Sequence, residues 1–401
     1  MMIKTISLFC SALLIPIFTI AQSLPSNPSV SRYQVDTIPL VYDLIGMVDT
    51  GEFMPSIRHL SSYETRLCTS PEALEAQDWI KTKLEGYGLS VEIQDFPYYG
   101  GSSSDNVIAT LPGKTKPDEY VLVGGHYDSF TWFGPAPGAD DNASGTSGVI
   151  ETARILSQFE FERSLIFCAW SAEEVGLIGS DYYAYTAKQA DMDILGYFNF
   201  DMIGYLHPGN EIHTDMIAPS SAQELVSFYT QVAGIYLPEF GIFPAEPIGG
   251  SSDHASFNNY GYMGIFPFED TPNYSPYIHT VDDVVGLSVN SPEMAKTFIQ
   301  ATLASLATLA VPYDNTIGTG PDAEGSLSLS VFPNPASDQV LVSTGYQEPM
   351  QLTLTSMAGK TVLATEFSGK MRIDVSDLPA GIYVVRCSGN PGNLIGKLVV
   401  R

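Results

Sequence analysis

The sequence predicts an α/β protein: a three-layer sandwich with a mainly parallel central sheet flanked by helices, followed by a small C-terminal antiparallel β-sandwich. Three observations predict it. From about 38 to 312, short apolar runs alternate with amphipathic or buried helical segments, and strands separated by helices build a parallel sheet. After residue 312 the chain changes to short alternating runs cut by turns, the pattern of an antiparallel sandwich. The whole chain has 401 residues, 44% of them hydrophobic, which is room for one large domain and a smaller one.

The elements follow in order. "MMIKTISLFCSALLIPIFTIAQS" has an early lysine, an apolar run and then Ala21-Gln22. It reads as a secretory signal peptide over residues 1–22. The run contains a proline and is short for a membrane span, and no later stretch is long enough, so an exported chain with no membrane span is expected. Residues 23–37 are rich in Pro, Ser and Asn and read as a flexible leader. Residues 38–312 form the main domain. In it "SPEALEAQDWIKTKLEGYG" is a helix: it has a Ser-Pro start, an apolar stripe (Ala73, Ala76, Trp79, Ile80, Leu84) and a closing glycine. "NVIATLPG", "YVLVGGH", "SLIFCAWSAEE", "GYFNFDMIG" and "GYMGIFPFE" are strands. "TSGVIETARILSQF", "SAQELVSFYTQVAGIY" and "SPEMAKTFIQATLASLATLA" are helices. Residues 313–325 are a linker and 326–401 the β-sandwich, which has no histidine.

Charge and cysteines exclude classes of function. Eighteen basic residues stand against 45 acidic ones, a net charge of −27. Such a chain repels phosphate backbones, so nucleic acid is excluded as a partner. Beyond the signal peptide only Cys68, Cys168 and Cys387 remain. They form neither a disulfide framework nor a Cys-x-x-Cys pair. Any metal must therefore be held by His, Asp and Glu. Cys168, inside an apolar strand, reads as a buried thiol.

Acids and histidines gather at strand ends. His126 and Asp128 follow "VLVGG" at a spacing of two, so they can share a face. An oriented imidazole serves a metal or a proton transfer; a surface pair is the plain alternative. Asp140 and Asp141 precede a helix, where an N-cap is the plain alternative. Glu173 and Glu174 follow an apolar strand, Asp201 ends another, and His279 stands near Asp282 and Asp283. The carboxyl ends of strands form the ligand crevice of an open α/β sheet, so five segments can converge there. Two histidines and several carboxylates without thiolates suit zinc or another borderline divalent metal. One carboxylate more than a single closed site needs suggests two metals.

The motifs "GGHYDS", "PGADDNASG", "SAEEVGLIGS", "FDMIGY", "SSDHASF" and "YIHTVDD" stand in one order over roughly 55–312. With them the chain resembles the co-catalytic di-zinc exopeptidases, metallopeptidase family twenty-eight, and within it the bacterial leucyl aminopeptidases. The resemblance implies a secreted, zinc-dependent aminopeptidase acting on peptides with a free N-terminus. It implies two zinc ions per chain: one on His126 and Asp201, the other on Glu174 and His279, with Asp140 bridging and a cis Asp140–Asp141 peptide. Glu173 is then the general base for a water activated by the two metals. Asp128 is the partner of His126, and Asp141 also stands behind the ligands. Met202, Phe268, Tyr274 and Ile278 flank the ligand motifs and line an apolar substrate pocket or belong to the core.

One departure stands out. The leucyl enzymes carry a Cys-x-Tyr-x-Cys loop where this chain has "EPIGGSSDHAS". Tyr274 or Tyr277 is left to replace its tyrosine. The same fold also hosts glutaminyl-peptide cyclases, which use one zinc, and carboxypeptidases. The stretch 199–312 has Lys296 as its one Lys or Arg, which suits an amine better than a carboxylate. The tail motifs "VFPNPASDQVLV", "DLPAGIYVV" and "GKLVVR" resemble the sorting domain of the type IX secretion system. That implies the type IX machinery as partner and a secreted or cell-surface destination.

Overall fold

The computed structural model describes residues 32–245, 252–313, 329–344, 348–356, 359–389 and 392–400. The expected signal peptide, nearly all of the expected linker and the "EPIGGS" stretch lie outside the described residues. Of the expected flexible leader, the end is pinned. Arg32 pairs with Asp193 at 2.7 Å, and the Tyr33 hydroxyl donates to the Leu195 carbonyl at 2.5 Å.

Two compact units make up the chain. The first comprises the described parts of Met1–Leu111, Asp118–Ser157 and Leu165–Ala310. Its strands are β1 (Ser90–Pro97), β2 (Ser103–Leu111), β3 (Lys116–His126), β4 (Arg163–Trp170), β5 (Asp193–Asn199), β6 (His213–Ile217), β7 (Gly241–Ala245) and β8 (Gly264–Phe268). They form one sheet in the order β1-β2-β4-β3-β5-β8-β6-β7. The sheet is mixed. β3, β5 and β8 run parallel at the centre, while β1–β2, β2–β4 and β6–β8 are antiparallel.

The helices are α1 (Pro39–Ile45), α2 (Thr50–Leu60), α3 (Pro71–Gly86), α4 (Gly145–Leu156), α5 (Ile178–Gln189), α6 (Gln223–Tyr236), α7 (His254–Asn259) and α8 (Pro292–Ala310). α3 starts as its sequence predicts: the Ser70 side chain accepts from the Ala73 N–H, a capping bond that satisfies an otherwise orphan donor. Adjacent residues of β5 show how both sheet faces are covered. Phe198 meets Tyr229 of α6. Tyr197 lies on the other face in a cluster with Leu122, Trp170, Tyr183 of α5 and Phe257 of α7. Alternation along a strand is the reason one strand can serve two cores. β4 is buried at every position, as a strand covered on both sides must be. Cys68, Cys168 and Cys387 are free and buried.

The second unit comprises the described parts of Pro112–Pro117, Gln158–Ser164 and Val311–Arg401. It contains β9 (Leu329–Phe332), β10 (Gln339–Thr344), β11 (Met350–Ser356), β12 (Thr361–Phe367), β13 (Lys370–Asp374), β14 (Gly381–Gly389) and β15 (Gly392–Val400). These strands form sheets in the orders β13-β10-β9 and β12-β11-β14-β15, with antiparallel pairing throughout both. Val340, Val342, Leu352, Leu354, Val385 and Leu398 fill its core.

Candidate metal centre

The strand ends deliver the side chains as expected. His126 is the last residue of β3, Glu173 and Glu174 follow β4, and Asp201 follows β5. The turn Ala139–Ser144 leads straight into α4, and His279 comes from the loop after β8. His126 Nε2 lies 3.3 Å from Asp141 Oδ1, 3.4 Å from Asp201 Oδ1 and 3.9 Å from Glu173 Oε2. His279 Nε2 lies 3.1 Å from Asp141 Oδ2 and 2.9 Å from Glu174 Oε2. One carboxylate, that of Asp141, thus meets both imidazoles with different oxygens.

This corrects the expectation at Asp140. That side chain is fully buried, and its Oδ1 accepts from the Gly204 N–H at 2.8 Å, so it does not stand between the histidines. The cis peptide is Asp141–Asn142 rather than Asp140–Asp141. The roles expected of the two acids exchange: Asp141 faces the cluster and Asp140 stands behind it. Adjacent side chains diverge, and identity alone does not say which one points inward.

Asp128 differs too. His126 Nδ1 is within bonding distance, at 3.1 Å, of the Asp128 backbone carbonyl, while the nearer carboxylate oxygen is 3.4 Å away. The carboxylate has another task. Its Oδ1 accepts from the Glu173 N–H at 3.2 Å and its Oδ2 from the Glu174 N–H at 3.3 Å.

The sequence reading gave no role to three groups. Asp283 does for the first acid pair what Asp128 does for the second. It accepts from the Asp140 N–H at 2.8 Å and the Asp141 N–H at 3.1 Å. Asp201 ends a relay: Trp170 Nε1–H donates to the Tyr197 hydroxyl, which donates to Asn199 Oδ1. Asn199 Nδ2–H donates to Ser252 Oγ, and Ser252 donates to Asp201 Oδ2 at 2.7 Å. Gly124 makes room for it, since a Cβ there would stand 2.5 Å from Trp170 Nε1 and 2.8 Å from the Tyr197 hydroxyl. Third, Arg66 is wholly buried. It donates to the carbonyls of Leu60, Tyr127, Pro137 and Gly138 and so ties down the loop between β3 and the Asp141 turn. "LSSYETR" carried Arg66 in plain view, but a lone arginine names no partner.

Three of the six non-glycine residues in the left-handed region among the described residues lie here: Ala172 (φ 61) beside Glu173, Met202 (φ 52) beside Asp201, and His279 (φ 55) itself. Such conformations cost on the order of 1 kcal/mol or more each, so the surrounding packing must impose them. Among the expected pocket residues, Phe268 and Tyr274 meet with ring centroids 5.9 Å apart. Met202 is buried beside Asp201, and Ile278 is half-buried beside His279.

The charges show what the cluster lacks. Burial and the Asp141 carboxylate raise the Glu174 carboxyl to about 8. Burial lifts Glu173 well above the carboxylate range, with Asp253 and Asp201 adding to it. Burial also disfavours charge on Asp141, but the His126 and His279 imidazoles beside it hold it well below its usual value. His279 rises to about 10 through its contacts with Asp141 and Glu174. Burial works against the His126 cation, yet Glu173 and Asp201 lift it well above its usual range. The carboxylates draw positive charge onto the imidazoles, which is the demand a bound cation answers.

Zinc fits this set. Ligand atoms around a tetrahedral zinc, with bonds of about 2.0–2.1 Å, stand about 3.3 Å apart. The 3.3 and 3.4 Å separations at His126 Nε2 match this. His126 Nε2, Glu174 Oε1 and Asp201 Oδ1 are buried and make no hydrogen bond, a costly state for polar atoms without a further partner.

Residues 106–302 match the model of peptidase family M28. Leucine aminopeptidase 1 of Grosmannia clavigera is 30% identical over 286 residues, which are 66% of this chain and 69% of that protein. The chain belongs to peptidase family M28. Among solved structures, LapB of Legionella pneumophila is 27% identical with a TM-score of 0.63, covering 70% of this chain and 77% of that one. Two more distant structures share the fold of this M28 chain. A zinc aminopeptidase of Bacillus subtilis is 17% identical with a TM-score of 0.57, over 65% of this chain and 95% of that one. A glutaminyl cyclase of Porphyromonas gingivalis is 17% identical with a TM-score of 0.56, over 65% and 98%. Residues 330–401 match the secretion system C-terminal sorting domain, which marks this M28 peptidase for export to the medium or cell surface. No helix among the described residues is long and apolar enough to cross a membrane.

Proposed function

We propose that the chain is a metallo-aminopeptidase that releases the N-terminal residue of peptides outside the cell, using two zinc ions. The observation that carries this is the Asp141 carboxylate, with one oxygen toward each imidazole. His126 and Asp201 would hold one ion and His279 and Glu174 the other, with Asp141 shared. Bound zinc supplies Lewis-acid charge, which lowers the pKa of a water and polarises a carbonyl. Glu173 Oε2 is 3.9 Å from His126 Nε2, farther than the nearest oxygens of Asp141 and Asp201. That distance suits a base beside the ligands better than a ligand. Glu173 takes the proton of the attacking water and returns it to the leaving amine.

The acids also favour a substrate with a free α-amine. Arg66 is buried near them, but its guanidinium is occupied by backbone carbonyls, so it is not offered to a substrate carboxylate. This supports aminopeptidase over carboxypeptidase action. A cyclase of this fold needs one zinc, whereas here each imidazole has its own carboxylate besides the shared one. The tail would direct the chain through the type IX machinery.

The test is a panel of aminoacyl and N-acetylated substrates with zinc analysis. Cleavage of the free-amine substrates alone, with two zinc ions per chain, is the expected outcome. Equal cleavage of the blocked substrates, or cyclisation of glutaminyl peptides without hydrolysis, would refute the proposal.

A further inference from the structure

The loop between β3 and the Asp141 turn carries "SFTWFGPAP". Trp132 is 72% exposed and Phe133 89%. The loop that carries them is fastened. The Ser129 hydroxyl donates to the Ala136 carbonyl at 2.7 Å, and Thr131 to the Gly134 carbonyl at 3.1 Å. Arg66 holds the carbonyls of Pro137 and Gly138.

The loop also packs on the segment that carries His279. Gly134 has φ +82, and a Cβ there would stand 3.2 Å from Val281 Cγ1. Phe130 meets the His279 ring edge-on at 5.4 Å between centroids, and Trp132 meets Phe130 edge-on at 5.0 Å. A continuous aromatic lip therefore starts at a proposed ligand and runs outward.

Burial gives the direction. The His126 side chain is 1% exposed and that of His279 31%. Glu173 and Asp201, beside His126, are 12% and 11% exposed, against 3% for Glu174 and 7% for Asp141, so the acids open to a substrate amine stand at the His126 end. The positive α-amine belongs at that acidic end, so the rest of the peptide leaves past His279 and over the lip. We propose that Phe130, Trp132 and Phe133 bind the apolar side chain of the residue that follows the scissile bond. This rests on the aminopeptidase reading above.

The test uses the full chain with zinc and three substrates: leucinamide, leucyl-glycinamide and leucyl-phenylalaninamide. The wild type is expected to favour the phenylalanine peptide over the glycine one by about tenfold in kcat/KM, an ordinary yield for one apolar contact set. Trp132→Ala with Phe133→Ala should bring that ratio close to one and leave leucinamide unchanged. Both side chains are exposed, so the unfolding temperature should hold. If the double variant misfolds, Trp132→Ala alone should still lower the ratio. An unchanged ratio, or a parallel loss on leucinamide, overturns the inference while the aminopeptidase reading stands. A wild type that cleaves none of the three removes that reading and the inference with it.

Discussion

Two pairs of adjacent acids, Asp140–Asp141 and Glu173–Glu174, each have both backbone N–H groups taken by a single distant carboxylate. Asp283 holds the first pair and Asp128 the second. The same clamp gives different results. In the first pair one acid turns toward the histidines and its neighbour turns away to Gly204. In the second, Glu174 reaches His279 while Glu173 remains within 3.9 Å of His126. The backbone explains the contrast. Asp141 (φ −106, ψ 87) and Asn142 (φ −138, ψ 46) depart from helical geometry inside the turn that opens α4. The clamps fix where the backbone stands, and the local dihedrals decide which acid serves.

The sharpest way to break this comparison is to exchange the acids of the first pair. Asp141→Ala should strip both zinc ions and abolish hydrolysis, because it removes the shared group. Asp140→Asn should keep both ions and most of the activity. Burial, then Asp283, raises the Asp140 carboxyl well above its usual range, so a neutral amide costs less there than at Asp141, whose carboxyl the imidazoles hold low. Zinc content by mass spectrometry decides the matter. Loss of both ions in Asp140→Asn with retention in Asp141→Ala would restore the original assignment.

The second pair predicts a smaller loss of a different kind. Glu173→Gln keeps the shape but cannot accept a proton. Its kcat should fall by about 10²–10⁴-fold at nearly constant KM and zinc content. Glu174→Gln should instead lower zinc content. Equal, near-wild-type rates in both variants would return the pair to a solvated helix start.

The clamps themselves come next. Asp283→Ala leaves the N–H groups of Asp140 and Asp141 without their acceptor in a buried site. Each orphaned group costs about 1–3 kcal/mol, and each kcal/mol lowers the unfolding temperature of a domain this large by about 2–4 °C. A calorimetric scan of the zinc-free chain measures this apart from metal binding. An unchanged scan would mean that Asp283 is dispensable to the turn.

How much of this was legible beforehand follows from range. β3, β5 and α3 were readable because periodicity and caps are local. His126, Glu173, Glu174, Asp201 and His279 were readable because each sits at a strand end or in a loop that a parallel sheet brings together. The Asp140–Asp141 choice was not, since it depends on dihedrals within one turn. β1, β6 and β7 were missed: β1 sets Glu92, Gln94 and Asp95 among its apolar residues, and β6 and β7 carry no long apolar run to mark them. Asp283 and Ser252 stand inside marked motifs, but they and Arg66 act through bonds to residues far away in the chain, and a motif does not name such partners.

The relay behind Asp201 carries the smallest predicted effect. Ser252→Ala removes the donor to Asp201 Oδ2 and leaves Asn199 Nδ2 without its acceptor. Groups that orient a metal ligand are commonly worth about 10–100-fold in metal affinity or activity. The loss should fall on one ion, that of His126 and Asp201, and spare the other. Trp170→Phe, three bonds farther back, removes only a donor to the Tyr197 hydroxyl. One neutral hydrogen bond contributes about 0.5–1.5 kcal/mol, and here most of it would appear as stability instead of zinc affinity. A zinc titration of both variants orders the two effects. If Trp170→Phe weakened zinc as much as Ser252→Ala, the relay would transmit orientation along its whole length. A titration in which Ser252→Ala loses both ions equally would show that Asp201 is not confined to one of them.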